Sequence, residues 1–345
     1  MLSYGKTSVS GSAKKGPGSG NEPSKAGTGL VADLIPDADA CCIKLKLNQD
    51  HTALLKNVDK MQRLTRFGAV ALEEYLVEGI VLRNAAHLRV LWLDDELPAG
   101  HGISFPELLY LRCGYFDKKE AAACPKLRTL IVTGNDSLPN IAMPHLVKLV
   151  ADGDVEIRSF IRRNAETIRE CEVDTLPYDE DDKVVYTRLK KVTCRVLEAP
   201  ADALPVLRYF RLKDQWEEPD DVSLTWNQLI TFETDGHGLF YWETPVLGIG
   251  VSEMRNLKQL RLRDLEINPR IWHASCSSDL IRTMHRLEEI EITMKENTVF
   301  PCVNKMIRRL VHQNPQLVRV AFGHLELGNA NVLHLAKLSS CSTWN

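Results

Sequence analysis

A short apolar phrase recurs along this chain, and its spacing restricts the fold more than any other feature. In "CPKLRTLIVTGN" it places Leu127, Leu130 and Val132 at successive intervals of three and two residues. That spacing fits neither a helix face nor a simple alternating strand. It returns in Leu88/Leu91/Leu93, Leu108/Leu111/Cys113, Leu146/Leu149/Ala151, Ile168/Cys171/Val173 and Leu189/Val192/Cys194. It continues in Leu207/Phe210/Leu212, Leu229/Phe232/Thr234, Leu257/Leu260/Leu262, Leu287/Ile290/Ile292 and Leu317/Val320/Phe322. Two fainter copies precede these, Cys42/Leu45/Leu47 and Leu64/Phe67/Ala69. Successive copies start 18 to 30 residues apart.

Self-similarity at this period is the mark of a repeat array, and the phrase is that of leucine-rich repeats. The expected architecture is an α/β leucine-rich-repeat solenoid. A curved parallel sheet lines its concave side, and helices, 3-10 segments and turns lie on the convex side. Within each phrase the middle is a short strand, so alternate residues face opposite ways. The second and third apolar residues point inward, and the first packs the entering turn. Longer repeats have room for a helix on the return path. One is predicted in "PCVNKMIRRLVHQNP", where Val303, Ile307, Leu310 and Val311 share a face, and another in "RFGAVALEEYLVEGIVLRN", with Leu72, Leu76 and Ile80 in line. Repeats of 18–22 residues are expected to return through a turn or a 3-10 segment.

The chain divides on composition. Fifteen of the first 29 residues are Gly, Ser or Pro, too little apolar surface to offset the entropy of ordering. The expected organisation is a disordered Gly/Ser/Lys arm over 1–34 and a solenoid of about 11–13 irregular repeats over 35–338. An incomplete C-terminal tail follows over 339–345. No apolar run at the start reads as a secretory signal, and no stretch has the roughly 18 apolar residues of a membrane helix. The nine cysteines are scattered and include no C-x-x-C pair. They read as reduced, mostly buried thiols of a cytoplasmic or nuclear protein.

"CPKLRTL" and "NPQLVRV" are the phrases that carry a family likeness. Over about residues 41–338 the array resembles the repeat region of F-box/leucine-rich-repeat proteins, and its C-terminal repeats resemble the wider ribonuclease-inhibitor-like group. The resemblance implies substrate recognition for a cullin-RING ubiquitin ligase. No F-box is found in the chain, so a ligase adaptor would be a partner only where an F-box is supplied from elsewhere. Asparagine stands at the ninth position of one repeat alone, Asn135, so no regular asparagine ladder is expected.

No catalytic signature emerges. Gly5-Lys6-Thr7 matches the end of a P-loop but lacks the first glycine and the preceding strand. His87, His145, His285, His312 and His324 fall near repeat junctions without a nucleophile or carboxylate partner in any recognisable pattern. "YDEDDK" lacks the ligand alternation and the glycine of a calcium loop. The chain is therefore expected to be no enzyme and to hold no cofactor or metal.

The outward strand positions are more informative. They run from an aromatic band through alternating acidic and basic bands. The candidate protein-binding residues are Trp92, Tyr110, Arg112, Glu170, Glu172, Lys191, Arg195, Tyr209, Arg211, Glu233, Arg261 and Arg263. Trp92, Tyr110 and Tyr209 are the expected anchors, although the same bands could merely relieve repulsion within the sheet. "GHGLFYWETPVLGIG" interrupts the rhythm, and its aromatics either pack on the convex side or form a contact loop, with Phe240 and Trp242 as the candidates. The acidic bands argue against nucleic acid, and membrane is not expected. The leading expectation is a non-catalytic protein-recognition module with its ligand on the concave face. The alternative is an assembly protein that stacks through an open repeat end, since Cys341 is followed only by "STWN" and an unpaired edge invites self-association.

Overall fold

The computed structural model describes residues 42–45, 62–69, 74–93, 97, 102–134, 138–151, 157–178, 184–213, 227–235, 254–265, 284–298 and 311–325. Its backbone is a ladder. The early strands are β1 (Cys42–Leu45), β2 (Arg66–Ala69), β3 (Val90–Trp92), β4 (Tyr110–Cys113), β5 (Thr129–Val132), β6 (Lys148–Ala151) and β7 (Glu170–Glu172). Then come β8 (Thr175–Leu176), β9 (Lys191–Cys194), β10 (Val196–Leu197), β11 (Tyr209–Leu212), β12 (Thr231–Asp235), β13 (Gln259–Leu265), β14 (Glu289–Thr298) and β15 (Arg319–Leu325). Among the described residues thirteen of these form one sheet in strict chain order, with β8 and β10 pairing separately. Every pairing is parallel. This is the leucine-rich-repeat solenoid that the periodicity predicts.

The register shows why the apolar phrase must recur. Leu91, Leu111, Leu130, Leu149 and Cys171 pair in sequence across β3 to β7. Val192, Phe210, Phe232, Leu260 and Ile290 extend the same row. All are buried, as are the leading residues Leu88, Leu108, Leu127, Leu146, Leu189, Leu207, Leu257 and Leu287. Each fully buried leucine contributes roughly 1.5–3 kcal/mol, and its cover comes from the repeats on either side. Between β4 and β5 the turns approach so closely that a Cβ on Gly134 would meet the Gly114 carbonyl oxygen at 2.5 Å. The Gly134 amide donates to that same oxygen at 2.9 Å.

Three details depart from expectation. The first strand sits two residues earlier than the apolar phrase suggests: Ile43 pairs with Phe67 and Leu45 with Ala69. A slip of two preserves the inward and outward faces, so alternation alone could not fix it. Next, the short repeats carry helices as well as turns. Helix α1 (Glu74–Asn84) lies where predicted, with Ile80 buried. Helices α2 (Lys118–Ala123) and α3 (Arg158–Asn164) occupy repeats expected to hold only turns, whereas Ala201–Ala203 is a 3-10 turn. A capping box on Asp117 and Glu120 explains how so short a helix as α2 holds. Of the C-terminal helix, residues 311–313 are helical with Val311 buried, while Val303, Ile307 and Leu310 lie outside the described residues. So do the N-terminal arm, the C-terminal tail, Asn135 and the aromatic loop.

The third departure concerns asparagine. The return segments end on buried side chains that reach back to the preceding repeat. Asn84 Oδ1 accepts from the Leu64 amide at 2.8 Å, and its Nδ2 donates to the Ile80 carbonyl. Asn164 accepts from the Met143 amide at 2.6 Å and donates to the carbonyls of Ile141 and Phe160. Asn314 accepts from the Leu287 amide and donates to the Met284 carbonyl, both at 2.8 Å. Glu120 plays the same part in its repeat, accepting from the Leu97 amide at 2.9 Å. Each clasp satisfies backbone groups that would otherwise be buried without partners.

Two substitutions separate a satisfied buried polar group from an unsatisfied one. Asn164→Ala orphans the Met143 amide and the Ile141 carbonyl and should cost about 2–4 kcal/mol in urea denaturation. Thr234 occupies an inward position, and its Oγ1 is buried with no hydrogen-bond partner among the described residues. Thr234→Val keeps the shape and removes the stranded hydroxyl, so it should raise stability by about 1 kcal/mol.

Candidate functional site

The concave surface is built by the outward residues of the strands, and the register arranges them in rows. One row runs Gly68, Trp92, Arg112, Ile131, Val150, Glu172 and Thr193 from β2 to β9. It continues through Arg211, Glu233, Arg261, Glu291 and Ala321. The two halves of this row differ in chemistry.

The C-terminal half closes most of its charges on itself, with Arg319 exposed on the last strand. Glu233 points to the concave side but is only 3% exposed, because its neighbours cover it. The Tyr209 hydroxyl donates to Glu233 at 2.7 Å, and the Arg261 guanidinium donates to its other carboxylate oxygen. Arg263 lies 3.8 Å from Glu233 and makes a two-pronged contact with Glu291 at 2.8 and 3.2 Å. Arg261 also reaches Glu289 at 3.5 Å. A fork matched to a carboxylate in this way gives a strong and directional pair.

Titration follows the geometry. Burial, then the Glu233 carboxylate, pushes the Tyr209 hydroxyl well above its usual range. The Arg263 hydrogen bond holds the Glu291 carboxyl below the usual carboxylate range against an opposing burial. A depressed carboxyl stabilises the fold above its unfolded pKa and loses that contribution as pH falls.

The centre is paired more loosely. Lys148 lies 3.5 Å from Glu170, Lys213 2.8 Å from Glu172, and Arg195 3.5 Å from Asp174. The Lys191 ammonium sits 4.6 Å over the Tyr209 ring. Tyr209 is thus bound at its hydroxyl and capped on its face, which sets it apart from the other two expected anchors. Exposed pairs of this kind contribute little to stability.

The N-terminal half is of another character. Trp92 is 36% exposed, and its ring centre lies 6.1 Å from that of Tyr110 at a tilt of 56°. Arg66 and Arg112 are exposed, Ile131 and Val150 are half-buried, and Gly68 leaves no side chain beside Trp92 in the row. Aromatic rings flanked by arginine and aliphatic groups make a surface that loses little on desolvation. The structure therefore brings Trp92, Tyr110 and Arg112 together and assigns Tyr209, Glu233, Arg261 and Arg263 to an internal network. Arg211 lies between the two halves. Phe240 and Trp242 lie outside the described residues.

The thiols are structural in character. Cys113, Cys124, Cys171 and Cys194 are free and buried. Burial pushes Cys124 and Cys171 up to about 12, and Cys113 and Cys194 likewise upward. Among the described residues no group of three or more His, Cys, Asp or Glu could hold a metal, and no helix is long and apolar enough to cross a membrane.

No known family's sequence profile matches the chain, and no curated protein matches it. Among solved structures it is similar to an internalin from Listeria monocytogenes at 13% identity, with a TM-score of 0.37. The alignment covers 80% of this chain and 71% of that one. The repeat assignment rests on the chain's own ladder.

Two measurements test this account of the site. Glu233→Ala leaves two arginines facing a vacated buried position and should cost about 3 kcal/mol by chemical denaturation, whereas Tyr209→Phe should cost about 1 kcal/mol. Site-resolved alkylation at pH 8 should leave Cys113, Cys124, Cys171 and Cys194 unmodified in the folded chain and modify them after unfolding. The raised thiols stay protonated where the unfolded chain ionises. Their contribution is thus complete below the ordinary thiol value of 9 and is lost as pH rises above it.

Proposed function

We propose that this chain is a non-catalytic protein-recognition module whose partner docks on the N-terminal part of the concave face. One contrast carries the reading. The C-terminal half of the face closes Glu233, Arg261, Arg263 and Glu291 on one another, with Arg319 exposed on its last strand, whereas the N-terminal half presents Trp92 and Tyr110 with Arg66 and Arg112 beside them. Exposed aromatics and arginines on a rigid sheet are what protein interfaces use as anchors. The loosely paired central charges, Glu170, Glu172, Lys191 and Arg195, would set register and steer encounter. The finer reading is a substrate receptor in an F-box-like ubiquitin ligase system within the cytoplasm or nucleus. It is supported by the resemblance of the repeat phrases, with the adaptor contact supplied from outside the repeats.

The test compares affinity capture from cells with the full chain and with Trp92→Ala/Tyr110→Ala. The variant should lose specific partners by tenfold or more, about 1.4 kcal/mol or greater, with an unchanged far-UV circular dichroism spectrum. Cullin-RING adaptors among the proteins retained by both would support the finer reading. Equal capture of every partner by both chains would place recognition elsewhere.

A further inference from the structure

We propose that the strand-entry rim of the solenoid binds a nucleic-acid backbone through its phosphates, on a surface separate from the concave face. The rim is formed by the residue that follows the leading leucine of each repeat. Backbone hydrogen bonds make these residues neighbours. The Arg128 amide donates to Leu109, Val147 to Arg128, Arg169 to Val147, Lys190 to Arg169 and Arg208 to Lys190, all at 2.8–2.9 Å. The column extends back through Arg89 to Thr65 and forward through Ile230 and Lys258 to Glu288 and Val318. At about 4.8 Å per strand its twelve positions span roughly 50 Å.

The charge along this column is one-sided. Arg89, Arg128, Arg169, Lys190, Arg208 and Lys258 are all exposed, and Glu288 is its one acidic residue. Arg169, Lys190 and Arg208 occupy three consecutive rungs, an arrangement that costs stability because like charges on adjacent strands repel. Elsewhere this sheet alternates its charges and pairs them, as Glu233 with Arg261 and Glu172 with Lys213. Lys258 is tied to Glu288 at 2.6 Å. Arg128, Arg169 and Lys190, by contrast, have no carboxylate within ion-pair distance among the described residues. Arg188 and Arg286 stand exposed one residue before the leading leucine of their repeats and deepen the same field.

The whole chain carries a net charge of −3, so this stripe is a local concentration of positive charge rather than a share of a basic surface. An evenly spaced, extended row of cations fits an extended polyanion. The column has no aromatic side chain on which a base could stack, so contacts go to phosphate, and binding is independent of sequence. The acidic bands that argue against nucleic acid lie on the concave strand positions and not on this rim.

The probes are a fluorescein-labelled DNA duplex of about 24 base pairs and arbitrary sequence, and a single strand of the same length, titrated with the full chain at about 50 mM salt. Anisotropy should report binding to at least one of them. The logarithm of the association constant should fall linearly with the logarithm of salt, with a slope of about −3 or steeper. Arg128→Glu/Arg169→Glu/Lys190→Glu should weaken binding at least 30-fold and flatten the slope. Lys118→Glu/Lys119→Glu, the same kind of reversal on exposed residues of α2, should change it less than threefold. Circular dichroism checks that each variant is folded, and the charge-neutral Arg128→Gln/Arg169→Gln/Lys190→Gln should fall between wild type and the reversal. Binding of neither probe, equal binding by the rim reversal, or binding of poly-glutamate in place of both probes would overturn the proposal. The last result would assign the rim to an acidic protein segment.

Discussion

Everything in this molecule depends on the contact between one repeat and the next. A single repeat offers a strand of about four residues and three inward side chains, far too little to offset its ordering entropy. Stacking changes this. Leu130 lies between Leu111 and Leu149 in the ladder, and each of those stands in the same relation to its own neighbours. The core is therefore a column rather than a ball, and stability is a sum of neighbour contacts. The concave surface inherits its geometry from that column, since parallel pairing brings every outward side chain level with the one on the next strand.

That alignment explains the unusual character of the outer charges. In a helix bundle a surface carboxylate can swing away from its neighbours. Here each outward residue is held next to the same register position of two others. Opposite charges in adjacent rungs are brought within reach of one another, and in the cluster of Glu233, Arg261, Arg263 and Glu291 they pair. Rungs that lack pairing partners then mark places where some other demand has outweighed local neutrality. The surface is best read by asking which rungs are closed and which are open.

Much of this was legible in the sequence, for physical reasons. The strand positions could be read because burial on one face and exposure on the other imposes a period of two, and eleven copies of the phrase fix the phase. The first strand was misplaced because a slip of two leaves both faces intact. The short helices α2 and α3 were missed because repeat length limits a helix without forbidding one, and the capping box at Asp117 and Glu120 lay in the sequence as the signal for α2. The buried asparagines were not legible because the repeat phrase points to an asparagine after the strand. They stand before it, in "RNAAHL", "RNAETI" and "HQNPQL". The register sets Trp92, Arg112, Glu233 and Arg261 in one outward row, but sequence could not show that Tyr209 and Glu233 bind each other, since 24 residues separate them.

The asparagine clasps have a mechanical meaning. Strand spacing on the concave side is fixed by hydrogen bonding at about 4.8 Å, so any bending of the array must be taken up on the opposite side. Asn84, Asn164 and Asn314 tie the end of one return segment to the start of the strand before it. Flattening or tightening the arc would stretch or compress those short bonds at the three repeats that carry them. Among the described residues Glu120 adds a fourth tie, from its carboxylate to the Leu97 amide. A partner that reshapes this solenoid would work against these four ties, and the repeats they join would turn together as stiff segments.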